Sequence, residues 1–165
     1  MNELDAIQAS LASFTKRLDE VSTDRFNELR KCSFFDPIPS ENLKPISEQA
    51  EIRTFPAGHC LTAEGDSMNT FFVILFGTAT AYYNNKVVGM IRSGECIGEG
   101  MFFANENLSC SATVIADKQV IAAEIKKTGI DLLQGESKAY LDKALLLALF
   151  KKLQGANRKI EELLR

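Results

Sequence analysis

The sequence contains one histidine, His59, and no run approaching the roughly 20 apolar residues that a membrane-crossing helix needs. Its four cysteines, Cys32, Cys60, Cys96 and Cys110, are widely separated. They lack the short paired spacing of a zinc ribbon or a redox dithiol, so neither a metal centre nor a cofactor is expected. Basic excess is missing too: 19 Lys and Arg face 22 Asp and Glu, a formal net charge of -3. That balance gives no long-range attraction to nucleic acid or to an anionic membrane. Five basic and two acidic residues in Lys151–Arg165 make only a small local excess. The amino terminus, Met1-Asn-Glu-Leu-Asp5, is acidic and unlike the basic start of a signal segment. A soluble, cytoplasmic, reduced protein with no nucleic-acid or membrane partner is expected. His59 stands beside Gly58 and reads as a turn residue, and no motif supplies a base for any of the thiols, so no enzymatic activity is expected.

The 165 residues, 45% of them hydrophobic, suffice for one domain with helical extensions. Leu4, Ile7, Leu11, Phe14, Leu18 and Val21 recur at spacings of three and four, which predicts a helix of about 20 residues with one apolar stripe. A second short helix is expected from Asp24 to Lys31, before Asp36-Pro-Ile-Pro39 breaks regular structure. Ser40 is a candidate cap for a short helix or turn after it. Between Ala50 and Ile125 the chain turns to brief runs of Val, Ile, Phe, Thr and Tyr punctuated by Gly, Asn and Asp, which read as strands. Among them are Phe71–Phe76, Thr78–Tyr83, Val87–Ile91, Ala112–Ala116 and Val120–Ile125, with Asn84-Asn85 as a hairpin turn. Many short strands favour a sandwich or jelly roll. Helix returns from about Tyr140. There Leu146, Leu149, Leu153, Ala156, Ile160 and Leu163 step by three and four, a heptad seam suited to homodimerisation, although a terminal helix docked on its own domain is the alternative.

One stretch, Gly94-Glu-Cys-Ile-Gly-Glu-Gly-Met-Phe-Phe-Ala-Asn-Glu-Asn-Leu-Ser-Cys-Ser-Ala-Thr-Val114, contains neither Arg nor Lys. Gly98 and Gly100 bracket Glu99 just before Met101-Phe-Phe-Ala. If that segment is one helical turn, its free N–H groups suit an anion. The alternative is a tight turn that holds Met101 and Phe102 in the core.

Four blocks, Phe55–Asp66, Phe71–Thr80, Gly94–Phe103 and Ser111–Ala116, resemble in order the strands and turns of the cyclic nucleotide-binding domain family. The resemblance implies a mainly β fold, an eight-stranded jelly-roll barrel with N-terminal and C-terminal helices. It also implies that Gly98 offers a backbone contact, that Glu99 accepts a ribose 2'-hydroxyl, and that an Arg before Ser-Ala-Thr-Val clamps the cyclic phosphate. Cys110 stands at that position, and a neutral thiol has neither the charge nor the fork of a guanidinium. The lost contacts are worth roughly 1.5–3 kcal/mol. Without them, Glu99 would confront the anion unless a proton, a metal or an outside residue intervened. Arg92 and Lys86 read as solvated flanks of turns, and Gly100 departs from the apolar residue usual after the Gly-Glu pair. A thiol at this place could also act as a redox sensor. The expected ligand-binding residues are Gly98, Glu99, Gly100, Met101, Cys110 and Ser111.

Three segments are expected: an N-terminal helical extension (1–33), a jelly-roll barrel (34–139) and a C-terminal dimerisation or docking helix (140–165). Transcription regulators of the family carry a helix-turn-helix beyond their long helix, whereas this sequence ends at Arg165. The expectation is a degenerate, free-standing member: a non-enzymatic signalling or adaptor module with impaired or altered nucleotide binding. The alternative is a functional cAMP or cGMP receptor that relays occupancy to a separate partner protein. A homodimer, a separate signalling protein, and a cyclic nucleotide or other small metabolite are the expected partners.

Overall fold

The run Thr70–Phe76 has four consecutive buried apolar residues, Phe71 to Ile74, so both faces of this strand must be covered. The computed structural model describes residues 3–67, 69–102 and 109–165, without the side chains of residues 3, 15 and 17–23, and it supplies both covers. Strands β1 (Ala50–Phe55), β8 (Val120–Lys126), β3 (Thr70–Phe76) and β6 (Cys96–Ile97) form one antiparallel sheet in that order; β2 (Cys60–Thr62), β7 (Thr113–Ala116), β4 (Thr78–Tyr83) and β5 (Lys86–Arg92) form the other. Phe72 and Ile74 of β3 point into the sandwich and meet Ala79, Ala81, Val114 and Ala116 from the second sheet. Phe71 and Val73 point outward into a helical layer. That layer holds Leu29 of α1 (Glu3–Arg30), Phe34 and Phe35 of a 3-10 turn, Leu43 and Ile46 of α2 (Ser40–Glu48), Ile130 of α3 (Lys127–Leu132), and Leu141 and Leu145 of α4 (Gly135–Leu163).

The mainly β jelly-roll class with flanking helices is therefore as expected, although the eight strands form two four-stranded sheets that do not close into a barrel. Asn84 and Asn85 carry φ of 48° and 60° and make the expected hairpin, with Tyr83 paired to Lys86. Three expectations need correction, and one element is additional. The N-terminal region is one 28-residue helix, α1, and not a 20-residue helix followed by a second one. No Gly or Pro interrupts it, and the packing of Phe26 and Leu29 carries it through Ser22-Thr23-Asp24. Pro39, not Ser40, is the N-cap of α2, and its carbonyl accepts the N–H groups of Asn42 and Leu43. α3 did not stand out as a periodic segment, being only six residues long. α4 starts at Gly135 rather than about Tyr140, because Ser137 and Leu141 already lie in its buried face.

Leu4, Ile7, Leu11 and Phe14 on α1 are exposed, while Leu18, Val21 and Phe103 lie outside the described side chains. Along α4, Leu146, Leu153, Ile160 and Leu163 are exposed. Leu149 instead packs half-buried on its own helical core, and Ala156 lines the cavity described next. Two of the six expected seam residues thus have contacts or a role within the chain.

Candidate functional site

The site is built from the sandwich edge upward. β6 ends at Ile97, and Gly98 takes φ of 83°; a Cβ there would stand 2.3 Å from the Thr70 carbonyl oxygen, so only glycine lets the turn approach β3 so closely. A 3-10 turn follows over Glu99–Phe102, with the Met101 N–H donating to the Gly98 carbonyl at 3.2 Å. Its side chains diverge. Met101 is buried in the helical core, and Phe102 meets Phe71 edge to face at 5.0 Å. Glu99 faces the opposite way, onto a cavity of about 720 Å³, within the usual range of roughly 300–1,000 Å³ for small-ligand pockets.

Five of the six expected ligand residues, Gly98, Glu99, Gly100, Cys110 and Ser111, line this one cavity. Met101 does not; it takes the core position that the tight-turn reading gives it. Cys110 is clamped by its backbone: its N–H donates to the Asp66 carbonyl at 2.8 Å, and its own carbonyl accepts the Gly65 N–H at 2.9 Å. Burial pushes the Cys110 thiol above its ordinary value, and Asp66 adds to the effect. Burial likewise pushes Cys96 up to about 12, against an opposing pull from Lys152. Cys32 is also raised, again mainly by burial.

These thiols stay protonated at neutral pH and are weak nucleophiles, which argues against a redox role for Cys110. Because raised thiols gain thiolate only as pH climbs toward their folded values, alkylation of the native protein by iodoacetamide at pH 7 is expected at the exposed Cys60. Labelling of Cys32, Cys96 and Cys110 should require denaturation. Peptide mapping checks this, and modification of native Cys110 at the rate of Cys60 would revive the sensor reading.

The feature that sequence reasoning missed is the fourth wall. α4 crosses the cavity, and Lys151, Lys152, Gly155, Ala156 and Lys159 line it together with Arg92 at the end of β5. Lys152 Nζ donates to Glu99 Oε1 at 2.5 Å and to the Cys96 carbonyl at 2.7 Å. The outside residue that Glu99 requires is therefore present, delivered 53 positions further along the chain. Both side chains are largely shielded, at 34% and 22% exposure, which screens this pair less than a surface salt bridge. Arg92, read as a solvated flank, lines the cavity, whereas Lys86 does not. One signal was available in the sequence: Lys151, Lys152 and Lys159 stand at i-4, i-3 and i+4 of Gly155, on one helix face.

His59 is exposed, in the turn where its N–H donates to the Pro56 carbonyl. Among the described residues, no three His, Cys, Asp or Glu side chains gather as metal ligands, and no helix is long and apolar enough to cross a membrane.

Two antiparallel sheets with a helical layer on one of them, and a cavity walled by a Gly-Glu turn and a long C-terminal helix, define the class. A sequence profile of the cyclic nucleotide-binding domain matches residues 52–134, half of the chain, and the chain belongs to this family. It is 25% identical over 134 residues to a cGMP-dependent protein kinase of Plasmodium berghei and 23% identical over 127 residues to one of Toxoplasma gondii. The matches cover 79% and 74% of this chain but only 15% and 13% of those kinases. In structure it is similar to a cyclic nucleotide-binding domain from Methylobacillus flagellatus, with a TM-score of 0.72, 17% identity, and 87% and 84% of the two chains covered. It is similar also to the regulatory subunit of a cAMP-independent protein kinase A from Trypanosoma brucei, with a TM-score of 0.68, 17% identity, and 87% and 49% covered.

Proposed function

We propose that this chain is a non-enzymatic, cytoplasmic signalling or adaptor module of the cyclic nucleotide-binding type, with an altered ligand site, and that it acts on a separate signalling protein. The observation that carries this reading is the pairing of Glu99 with Lys152 while Cys110 takes the expected arginine position. The carboxylate meant for a ribose hydroxyl is occupied by the protein's own cation, and the phosphate clamp is a protonated thiol. The trypanosomal regulatory subunit described as belonging to a cAMP-independent kinase provides a precedent for this fold in such a setting. α4 is proposed to pair with a second copy through Leu146, Leu153, Ile160 and Leu163, exposed along its length.

Isothermal titration of nucleotide-free, folded protein with cAMP and with cGMP tests the site. Binding is expected to be undetectable or weak at about 100 μM, a concentration at which a site of ordinary micromolar affinity would be saturated. A low-micromolar dissociation constant for either nucleotide would overturn the altered-site reading in favour of a working receptor. That second reading has one specific observation behind it: cations absent from the Gly94–Val114 stretch reach the cavity from Arg92 and α4.

A further inference from the structure

Gly155 sits in the interior of α4, where glycine is disfavoured relative to alanine. The packing of the chain on itself does not require it, since a Cβ at this position would meet nothing within 4 Å. It lines the cavity between Lys151 and Lys159, one turn before it and one turn after it. The charges on the cavity wall are unequal. Lys152 and Glu99 neutralise each other, and Glu95, the other carboxylate present, accepts the Arg92 backbone N–H at 2.7 Å. Arg92, Lys151 and Lys159 form no ion pair among the described residues. An empty space beside a helix, flanked by unpaired cations and facing a cavity of small-ligand size, suits a compact anion.

We infer that the α4 wall is an anion subsite, in which Lys151, Lys159 and Arg92 receive the phosphate of a small phosphate monoester and Gly155 leaves room for it beside the helix. A monoester carries about -1.5 to -2 at neutral pH and matches three cations against one remaining carboxylate better than a singly charged cyclic diester does. Lys152 keeps Glu99 from repelling the anion. The inference rests on the cavity being a ligand site, as proposed above, and moves its anion recognition from the turn to the helix.

The test is titration of the full chain with inorganic phosphate, in the millimolar range at fixed ionic strength, followed by NMR of the lysine side chains and the Gly155 amide. Signals of Lys151, Lys159 and Gly155 should shift together and saturate. Lys159→Gln should weaken the apparent affinity about tenfold, the low end for one charge-assisted contact. Gly155→Leu should abolish saturation while leaving the melting temperature unchanged or higher, because leucine favours helix. Non-saturating shifts of equal size at the exposed Lys44 and Lys118 would overturn the subsite, as would wild-type affinity in both variants. The two readings fail separately. Tight cAMP binding together with saturable phosphate binding would sink the altered-site proposal alone, whereas weak cAMP binding with no phosphate response at α4 would sink the subsite alone.

Discussion

Cys110→Arg is expected to strengthen cAMP and cGMP binding by about tenfold or more, up to roughly a hundredfold, the equivalent of 1.5–3 kcal/mol of charge-assisted contact. The backbone at this position is fixed by two hydrogen bonds to the Gly65-Asp66 turn, so the substitution changes what enters the cavity without freeing the segment that carries it. Cys110 lines the same cavity of about 720 Å³ as Gly98 and Glu99, which leaves volume for a longer side chain. The guanidinium would supply the planar donor pair that a thiol lacks. Calorimetry on Cys110→Arg, with and without Glu99→Ala, separates the contributions: the gain should disappear in the double variant, because the ribose acceptor goes with Glu99. A folded Cys110→Arg protein that binds no better than the parent would show that Lys152 or Gly100, not the missing arginine, sets the affinity of the site.

Replacing Leu153 and Ile160 together with Asp is expected to convert a dimer at micromolar concentration wholly to monomer in sedimentation velocity. Leu146, Phe150, Leu153 and Ile160 are between 54% and 60% exposed and follow one face of α4 at helical spacing, away from Gly155 and Lys159. Two carboxylates facing their symmetry mates across such a seam combine lost apolar burial with like-charge repulsion. The substituted positions contribute nothing to either buried core, so the melting transition of the domain should persist. A parent protein that already sediments as a monomer, or a double variant that remains dimeric, would remove this seam from consideration.

Much of the sheet was legible because its signals are local. Thr78–Tyr83 and the Asn84-Asn85 turn follow from β-branched and aromatic residues and from the tolerance of Asn for positive φ. Gly98, Glu99 and Cys110 stand in a run of consecutive motifs, and they line one cavity. Met101 was misplaced because a 3-10 turn sends adjacent side chains in different directions, one into the core and one to the site. Lys152 was missed for another reason. Its partner is 53 residues away, and in a solvent-facing heptad pattern it looks like any lysine beside an apolar seam. Only the mid-helix Gly155 distinguished that face, and a glycine near the end of a chain reads more readily as a weak point in the helix than as a space.

α4 presents a cavity wall and an apolar stripe on two sides of the same rod, and its first turns are anchored among Leu141, Ala144 and Leu145 in the shared core. A ligand that moves the rod therefore moves the stripe. By reciprocity, whatever factor the ligand imposes on self-association, self-association imposes on the ligand's affinity, each tenfold factor corresponding to about 1.4 kcal/mol. The proposed dimer and the proposed ligand site together would make such a module register its own abundance as well as its ligand: doubling the amount of protein would shift the half-saturation point of the cavity without altering a single residue that lines it.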